Sequence, residues 1–263
     1  MAEIAIVPDA VAGGAVAARD IAAIVTRNPE AVLGLATGST PLTTWDALAA
    51  MREEGLDLSR TTGFALDEYV GIAPGHPESY RCVIDREVVD RLGMDRARVH
   101  VPLEAGQDPT TAGAAYERAI LAAGGVDVQV LGIGRNGHVG FNEPGSSLAS
   151  LTRIKTLHPH TREDNARFFG GSIDDVPVHC VTQGLGTILR ARRLVLLAWG
   201  EAKAEALAGA VEGPVSAVLP GSIIQLHPSV LVVADEAAAS RLTGSEYYRF
   251  AWDHRDDLAA SSR

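Results

Sequence analysis

Short β-branched apolar runs alternate along the chain with longer Ala- and Leu-rich segments of helical period. Residues 4–7, 31–36, 62–66, 126–131, 193–199 and 230–234 are largely apolar, which predicts strands covered on both faces, and 98–101 is a further, more polar strand candidate. Between them the spacing predicts helices over 10–26, from Pro41 onward, and near 80–92, 110–123, 161–168, 202–211 and 235–242. In the second of these, Leu42, Trp45, Leu48 and Ala49 fall on one stripe. Such alternation predicts an α/β fold: a three-layer αβα, Rossmann-like arrangement with a mostly parallel sheet and right-handed crossovers. No linker, repeat or low-complexity tract interrupts the pattern, so residues 1–263 are expected to form a single domain.

Composition narrows the function. Acidic residues outnumber basic ones 33 to 23, a formal net charge of −10. Nucleic acid and anionic membranes need a basic face, so neither is an expected partner. An anionic ligand must instead be captured by a local cluster of donors. The two cysteines, Cys82 and Cys180, lack metal-ligand spacing and read as reduced thiols. No basic leader precedes an unbroken apolar run, and no apolar stretch approaches the ~20 residues of a membrane helix, so a cytoplasmic protein is expected.

In a doubly wound sheet, ligands bind beyond the carboxyl ends of the strands, and three strand ends carry chemistry. After the strand at 31–36 comes Thr37-Gly38-Ser39-Thr40-Pro41. Gly38 lets the backbone approach a ligand, Ser39 or Thr40 can cap the following helix, and Pro41 suits its first turn. Free N–H groups, hydroxyls and the positive helix end together make an anion cradle. No Gly-Lys-Ser/Thr follows, so it is not a Walker loop. After the strand at 62–66 stand Asp67 and Glu68. Adjacent strand residues point to opposite faces, so at most one of the two faces the cleft, where it could move a proton between neighbouring carbons. By itself the pair reads better as a helix-start acid or a surface pair. The tract 76–80 reads as a loop ending in a helix cap.

The third strand end, Gly132-Ile133-Gly134-Arg135-Asn136-Gly137, matches the GxGxxG pattern of dinucleotide sites. The residues that follow contain Pro144 and further glycines where a phosphate-binding helix should start, and no acid ends a strand about 20 residues on. A nicotinamide site is therefore rejected. The loop instead gathers Asn136, His138, Asn142 and Glu143, and His138 with Glu143 is a candidate acid–base unit. No second His or Cys stands at metal-ligand spacing, so no metal is expected. Arg153, Lys155, Arg162, Arg167 and Lys203 follow these loops and are plausible anion ligands or ordinary surface ion-pairing residues.

Five segments taken in order resemble the glucosamine-6-phosphate deaminase (glucosamine/galactosamine-6-phosphate isomerase) family: LGLATGSTPLTTWDAL, DEYVGI…HPESY, GIGRNGHVGFNEPGSSLAS, TRIKTL…TR..NARFF and GEAKAEAL…EG. The resemblance runs from Leu33 to about Glu236 and implies a modified Rossmann-like fold. It implies a hydrolase of amino-sugar catabolism, turning glucosamine 6-phosphate and water into fructose 6-phosphate and ammonia with no cofactor. By the same likeness Asp67 moves the proton from C2 to C1, and His138 opens the ring with support from Glu143. Asn136 stands where some relatives carry an acid. An amide orients but cannot ionise, so the pH dependence of ring opening is expected to differ. Thr37, Gly38, Ser39 and Thr40 would seat the phosphate, with Arg167 and Lys203 supplying charge. Some members are hexamers activated by N-acetylglucosamine 6-phosphate. Ser146, Arg153, Lys155 and Thr156 match that allosteric segment, with Tyr248 a further candidate. A homo-oligomer, hexamer before monomer, is expected. Leu151 departs from a basic position common there, and the tail from Arg241 diverges. The rival readings are a 6-phosphogluconolactonase-like hydrolase and a non-catalytic sugar-phosphate sensor.

Overall fold

The strands form where the apolar runs lie, because only a pleated segment between two helical layers buries such residues on both faces. The computed structural model describes residues 2–255 and residue 257; residues 1, 256 and 258–263 of the expected unit lie outside the described residues. Ten strands are described: β1 (Glu3–Val7), β2 (Val32–Leu35), β3 (Thr62–Ala65), β4 (Asp67–Tyr69), β5 (Val99–His100), β6 (Val128–Gly132), β7 (Arg153–Thr156), β8 (His179–Thr182), β9 (Arg193–Ala198) and β10 (Val230–Asp235). The helices are α1 (Ala10–Arg27), α2 (Leu42–Glu53), α3 (Tyr80–Ile84), α4 (Asp90–Leu92), α5 (Pro109–Ala122), α6 (Pro159–Asn165), α7 (Leu185–Ile188), α8 (Ala204–Glu212) and α9 (Ser245–Asp253). A π-helical turn, Asp85–Val89, joins α3 to α4, so the helix predicted over 80–92 is one continuous rod. Local capping follows the sequence: Asp9 accepts from the Ala12 N–H at 2.8 Å, and Ser79 from the Cys82 N–H at 3.2 Å.

Seven strands build the central sheet in the order β1-β10-β9-β6-β2-β3-β5, every neighbouring pair parallel. The middle strands are the core. Val195, Leu196, Leu197, Val232 and Val233 are fully buried, each worth about 1.5–3 kcal/mol relative to exposure. From β2 the chain winds one way to β3 and β5, while β6, β9, β10 and β1 lie on the other side. The order reverses between β2 and β6, and a reversal of this kind opens a crevice beyond the strand ends. Both the 37–40 turn and the Gly-rich loop leave from that point. No helix among the described residues is long and apolar enough to cross a membrane.

The periodicity does not anticipate three features. A second sheet, β4-β8-β7, is antiparallel and stands off the first, with Asp67 opposite Thr182 and Arg153 opposite Thr182 on its other side. The helix expected over 235–242 is absent: Asp235 ends β10, and its carboxylate accepts the Gly200 N–H and the Ala238 N–H, fixing a string of turns. The last helix is α9 instead, beyond it. Neither Ser39 nor Thr40 caps α2; Pro41 is the residue at its N-cap, and no side chain bonds the helix end.

Candidate active site

β2 delivers Thr37, Gly38, Ser39 and Thr40 to the wall of a cavity of about 640 Å³. No hydroxyl of the turn is spent on capping α2. Trp199 Nε1 donates to the Thr40 carbonyl at 2.7 Å and fixes the turn against β9. Arg167, in the turn after α6, and Lys203, at the N-cap of α8, line the same cavity. Arg167 Nη2 lies 3.5 Å from Ser39 Oγ, so the cation already addresses the cradle. Burial holds the Lys203 amine below its ordinary value, partly offset by Asp164 and reinforced by Arg135 and Arg167.

Where β3 ends, the chain steps sideways into β4, and the alternation of the strand separates the two acids. Asp67 lines the cavity. Glu68 turns away to the start of α3, where Oε1 accepts the N–H groups of Tyr69 and Tyr80 at 2.8 and 2.9 Å and Oε2 accepts that of Arg81 at 2.8 Å. A carboxylate suits a helix N-terminus. Glu68 is therefore a strut, and Asp67 is the carboxyl of the pair that faces the cavity. Asp67 is 5% exposed. Burial first, then the adjacent Glu68 charge, push its carboxyl up to about 8, against weak support from the Thr182 hydroxyl, 3.4 Å away, and the Phe141 N–H. A carboxyl so placed takes up and returns a proton near neutral pH.

The loop after β6 brings His138 to the same cavity. A Cβ on Gly134 would stand 2.3 Å from the His138 ring, so the glycine is what gives the imidazole its seat. The GxGxxG pattern here makes room for a side chain, not for a pyrophosphate. His138 Nδ1 faces Glu143 Oε2 at 3.6 Å. Asn136 Nδ2 donates to the same Oε2 at 2.9 Å, and Asn136 Oδ1 accepts the His138 N–H at 3.2 Å. Glu143 Oε1 accepts the His158 N–H at 3.1 Å. Burial alone would raise Glu143; the His138 ring, the Thr161 side chain and the His158 N–H together outweigh it and hold the carboxyl down at about 2. Asn142, fully buried, donates to the carbonyls of Val139 and Gln183 at 2.9 and 2.8 Å and ties the loop to β8. A Cβ on Gly140 would reach 3.2 Å from Thr182 Oγ1 and 3.4 Å from Asp67 Oδ2, so the loop closes on the Asp67 corner.

Asp67 and His138, from different strand ends, thus face one cavity whose other lip is the 37–40 turn with Arg167 and Lys203. Glu143 and Asn136 sit behind His138. Of the residues matched to an allosteric segment, none lines the cavity; Arg153, Lys155 and Thr156 share β7, Ser146 stands in the loop after β6, and Tyr248 is on α9. Ser146 Oγ donates to the Glu143 carbonyl at 2.7 Å, and Arg153 Nη1 to Asn142 Oδ1 at 2.7 Å. Lys155 and Thr156 follow on β7, Thr156 Oγ1 3.2 Å from His179 Nδ1. Tyr248 donates to Glu212 Oε1 at 3.0 Å, from α9, which packs on β1 at the edge of the main sheet. Of the cysteines, Cys180 is buried, and burial raises its thiol well above the ordinary value; Cys82 is partly exposed.

Several site residues carry no sequence signal of their own. Thr182 and Gln183 brace the Asp67 corner, Gln183 Nε2 donating to the Ala65 carbonyl at 3.0 Å. Tyr80 lines the cavity, its hydroxyl 3.2 Å from that of Tyr69, which in turn accepts from Asn165 Nδ2 at 3.0 Å. Arg135 forms a forked ion pair with Asp164 across the cavity mouth.

A buried carboxyl and an imidazole converging on a crevice at the switch point of a parallel sheet define an enzyme of the doubly wound α/β class. The chain belongs to the glucosamine-6-phosphate isomerase/6-phosphogluconolactonase family, whose pattern matches residues 10–233. A protein of Bifidobacterium longum named glucosamine-6-phosphate deaminase is 55% identical over 264 residues, covering 97% of this chain and 98% of that one. The solved structure of a monomeric glucosamine-6-phosphate deaminase superposes with a TM-score of 0.87 at 38% identity, covering 91% of this chain and 99% of the other. A 6-phosphogluconolactonase from Trypanosoma cruzi shares the fold, with a TM-score of 0.73 at 21% identity over 92% of this chain and 97% of its own.

Proposed function

We propose that this chain is a glucosamine-6-phosphate deaminase, converting glucosamine 6-phosphate and water to fructose 6-phosphate and ammonia. One observation carries the proposal: a carboxyl poised near neutrality and an imidazole share a cavity with an anion cradle flanked by Arg167 and Lys203. The full-length likeness to proteins named for that activity supports it.

The chemistry follows from the positions. The phosphate rests on the turn formed by Thr37, Gly38, Ser39 and Thr40, with Arg167 and Lys203 as counter-charges, so binding energy at the inert end positions the reacting end. His138 moves the proton that opens the ring. Glu143 and Asn136 hold its orientation and backbone, the amide orienting without ionising. In the open aldehyde, the hydrogen on C2 is acidified by the neighbouring carbonyl. Asp67 takes it while the substrate's ammonium passes a proton to O1, leaving an enolamine across C1 and C2; Asp67 then returns its proton to C1, leaving a protonated imine at C2. Water adds to that carbon and ammonia leaves. The substrate's own ammonium, close to Asp67, favours the ionised carboxylate needed for the first transfer.

Residues 1–263 act here as one catalytic unit in the cytoplasm. The finer expectations are a hexamer and activation by N-acetylglucosamine 6-phosphate. The bond from Arg153 to Asn142, next to Glu143, supports a route from that segment to the acid–base loop. The monomeric state named for the 38% identical relative supports the simpler alternative. Sigmoidal saturation that turns hyperbolic with the acetylated sugar would establish activation, and light scattering the subunit number.

Ammonia release from glucosamine 6-phosphate tests the proposal, with 6-phosphogluconolactone as control substrate. Ammonia release without lactone hydrolysis is the expected result; lactone hydrolysis alone would make the chain a lactonase, and neither activity would leave a binding protein.

A further inference from the structure

The anion end of the cavity contains a carboxylate that the proposed reaction does not use. Asp164, in the last turn of α6, receives a forked pair of bonds from Arg135, Nε to Oδ2 at 3.2 Å and Nη2 to Oδ1. Arg135 leaves from the loop after β6, so the pair bridges the two sides of the mouth. Asp164 and Arg167 are three residues apart, which places them within one turn on the same side of the segment. Arg135, Asp164, Arg167 and Lys203 all line the cavity together with Ser39. Lys203 feels all three: Asp164 favours its charged form, and Arg135 and Arg167 oppose it.

We infer that Arg135 is a third cation of the phosphate seat and that Asp164 is its resident counter-ion, a pair that sets how tightly an anion is held. Three cations against one carboxylate leave two positive charges uncompensated, matching the charge of one phosphate dianion. Without Asp164 the cluster would carry one more positive charge than its ligand, and product would be held too firmly. Without Arg135 the Asp164 carboxylate would stand unpaired beside the phosphate and repel it. Arg offers the fork geometry that suits either partner, carboxylate or phosphate. The pair is half exposed, with side-chain exposures of 56% and 40%, so each effect is a modest one.

The inference rests on the assignment of this end of the cavity to phosphate, and the experiment separates the two. Inorganic phosphate is titrated as a competitive inhibitor of ammonia release by wild type, Arg135→Gln, Asp164→Asn, the double variant and Lys203→Ala. Asp164→Asn should tighten inhibition about two- to fivefold, Arg135→Gln should weaken it at least as much, and the double variant should return close to wild type. A pair that merely holds α6 in place predicts that both single variants weaken inhibition and that the double variant does no better. Asp164→Asn inhibition that is unchanged or weaker, or Arg135→Gln inhibition that is unchanged, overturns the inference. If Lys203→Ala weakens phosphate binding while Asp164→Asn fails to tighten it, only the role of the pair falls. If Lys203→Ala has no effect on phosphate inhibition, the seat itself is misplaced and the inference falls with it.

Discussion

Asp67 and Glu143 are buried to the same degree, 5% and 4% exposed, yet one carboxyl is pushed up to about 8 and the other is held down at about 2. Burial works against the charged form of each, so burial alone does not give them opposite directions. The donors do. Asp67, where β4 leaves the main sheet, has one hydroxyl at 3.4 Å, the Phe141 N–H and a neighbouring negative charge. Glu143, in the loop after β6, collects the Asn136 amide, the His158 N–H, the Thr161 side chain and the His138 ring. In the proposed mechanism, two environments that push like groups apart divide the labour of acid–base catalysis: one group trades protons and the other holds a charge that orients its neighbour.

Neutralising each carboxyl sharpens the contrast. Asp67→Asn should lower kcat about a thousandfold with little change in KM, since it removes proton transfer and leaves the phosphate seat intact. The same variant should be more stable. The folded carboxyl keeps a proton up to about pH 8 that the unfolded chain releases near 4, so wild type loses stability as pH rises through that window and the Asn variant does not. Melting temperatures should differ little at pH 4 and by roughly 3–8 °C at pH 8. Glu143→Gln should do the opposite to stability, lowering the melting temperature by roughly 3–10 °C at pH 7 while reducing kcat about a hundredfold. Its folded value lies below the ordinary one, so its contribution is present above about pH 4.5 and fades as pH falls toward 2. Two variants that both destabilise at pH 8 would break the comparison.

Next in size is the anchoring end. Lys203→Ala should raise KM about tenfold or more and lower kcat by less, because the lost interaction is equal in ground and transition states. An unchanged KM would remove Lys203 from the phosphate seat. Smaller still, Glu68→Gln removes the charge that helps push Asp67 up, so the acidic limb of the kcat/KM profile should move to lower pH. The smallest effect is expected from Asn136→Asp, which places a second carboxylate against Glu143 Oε2. The pH–rate profile should shift to higher pH, and an unmoved profile would mean that the residue at 136 does not set the pH dependence of ring opening.

How much of this was legible in the chain depends on how local the cause is. The seven strands of the main sheet follow from runs of apolar residues, and the three site-bearing strand ends from glycines, hydroxyls and acids immediately after them. Even the division between Asp67 and Glu68 follows from strand alternation. The second sheet was not legible: β4, β7 and β8 are three or four residues long and pair across separations of more than twenty residues. Such pairings are decided by tertiary contacts, not by period. The segment 235–242 has helical composition, but the Asp235 side chain takes the Gly200 and Ala238 N–H groups and turns the chain instead. Ser39 and Thr40 look like caps because they precede a helix, yet the backbone of Pro41 starts α2 without them. Arg135 and Asp164 are unremarkable charged residues until the fold brings their loops together across the cavity mouth.

The central claim is that a single buried carboxyl, Asp67, carries hydrogen from C2 to C1 of one bound sugar. The most direct test is turnover of glucosamine 6-phosphate deuterated at C2 in ordinary water, with the fructose 6-phosphate product analysed by NMR. Because Asp67 is almost closed to solvent, deuterium should appear at C1 in a measurable fraction of product. Ammonia released at the normal rate with no deuterium at C1 would contradict it.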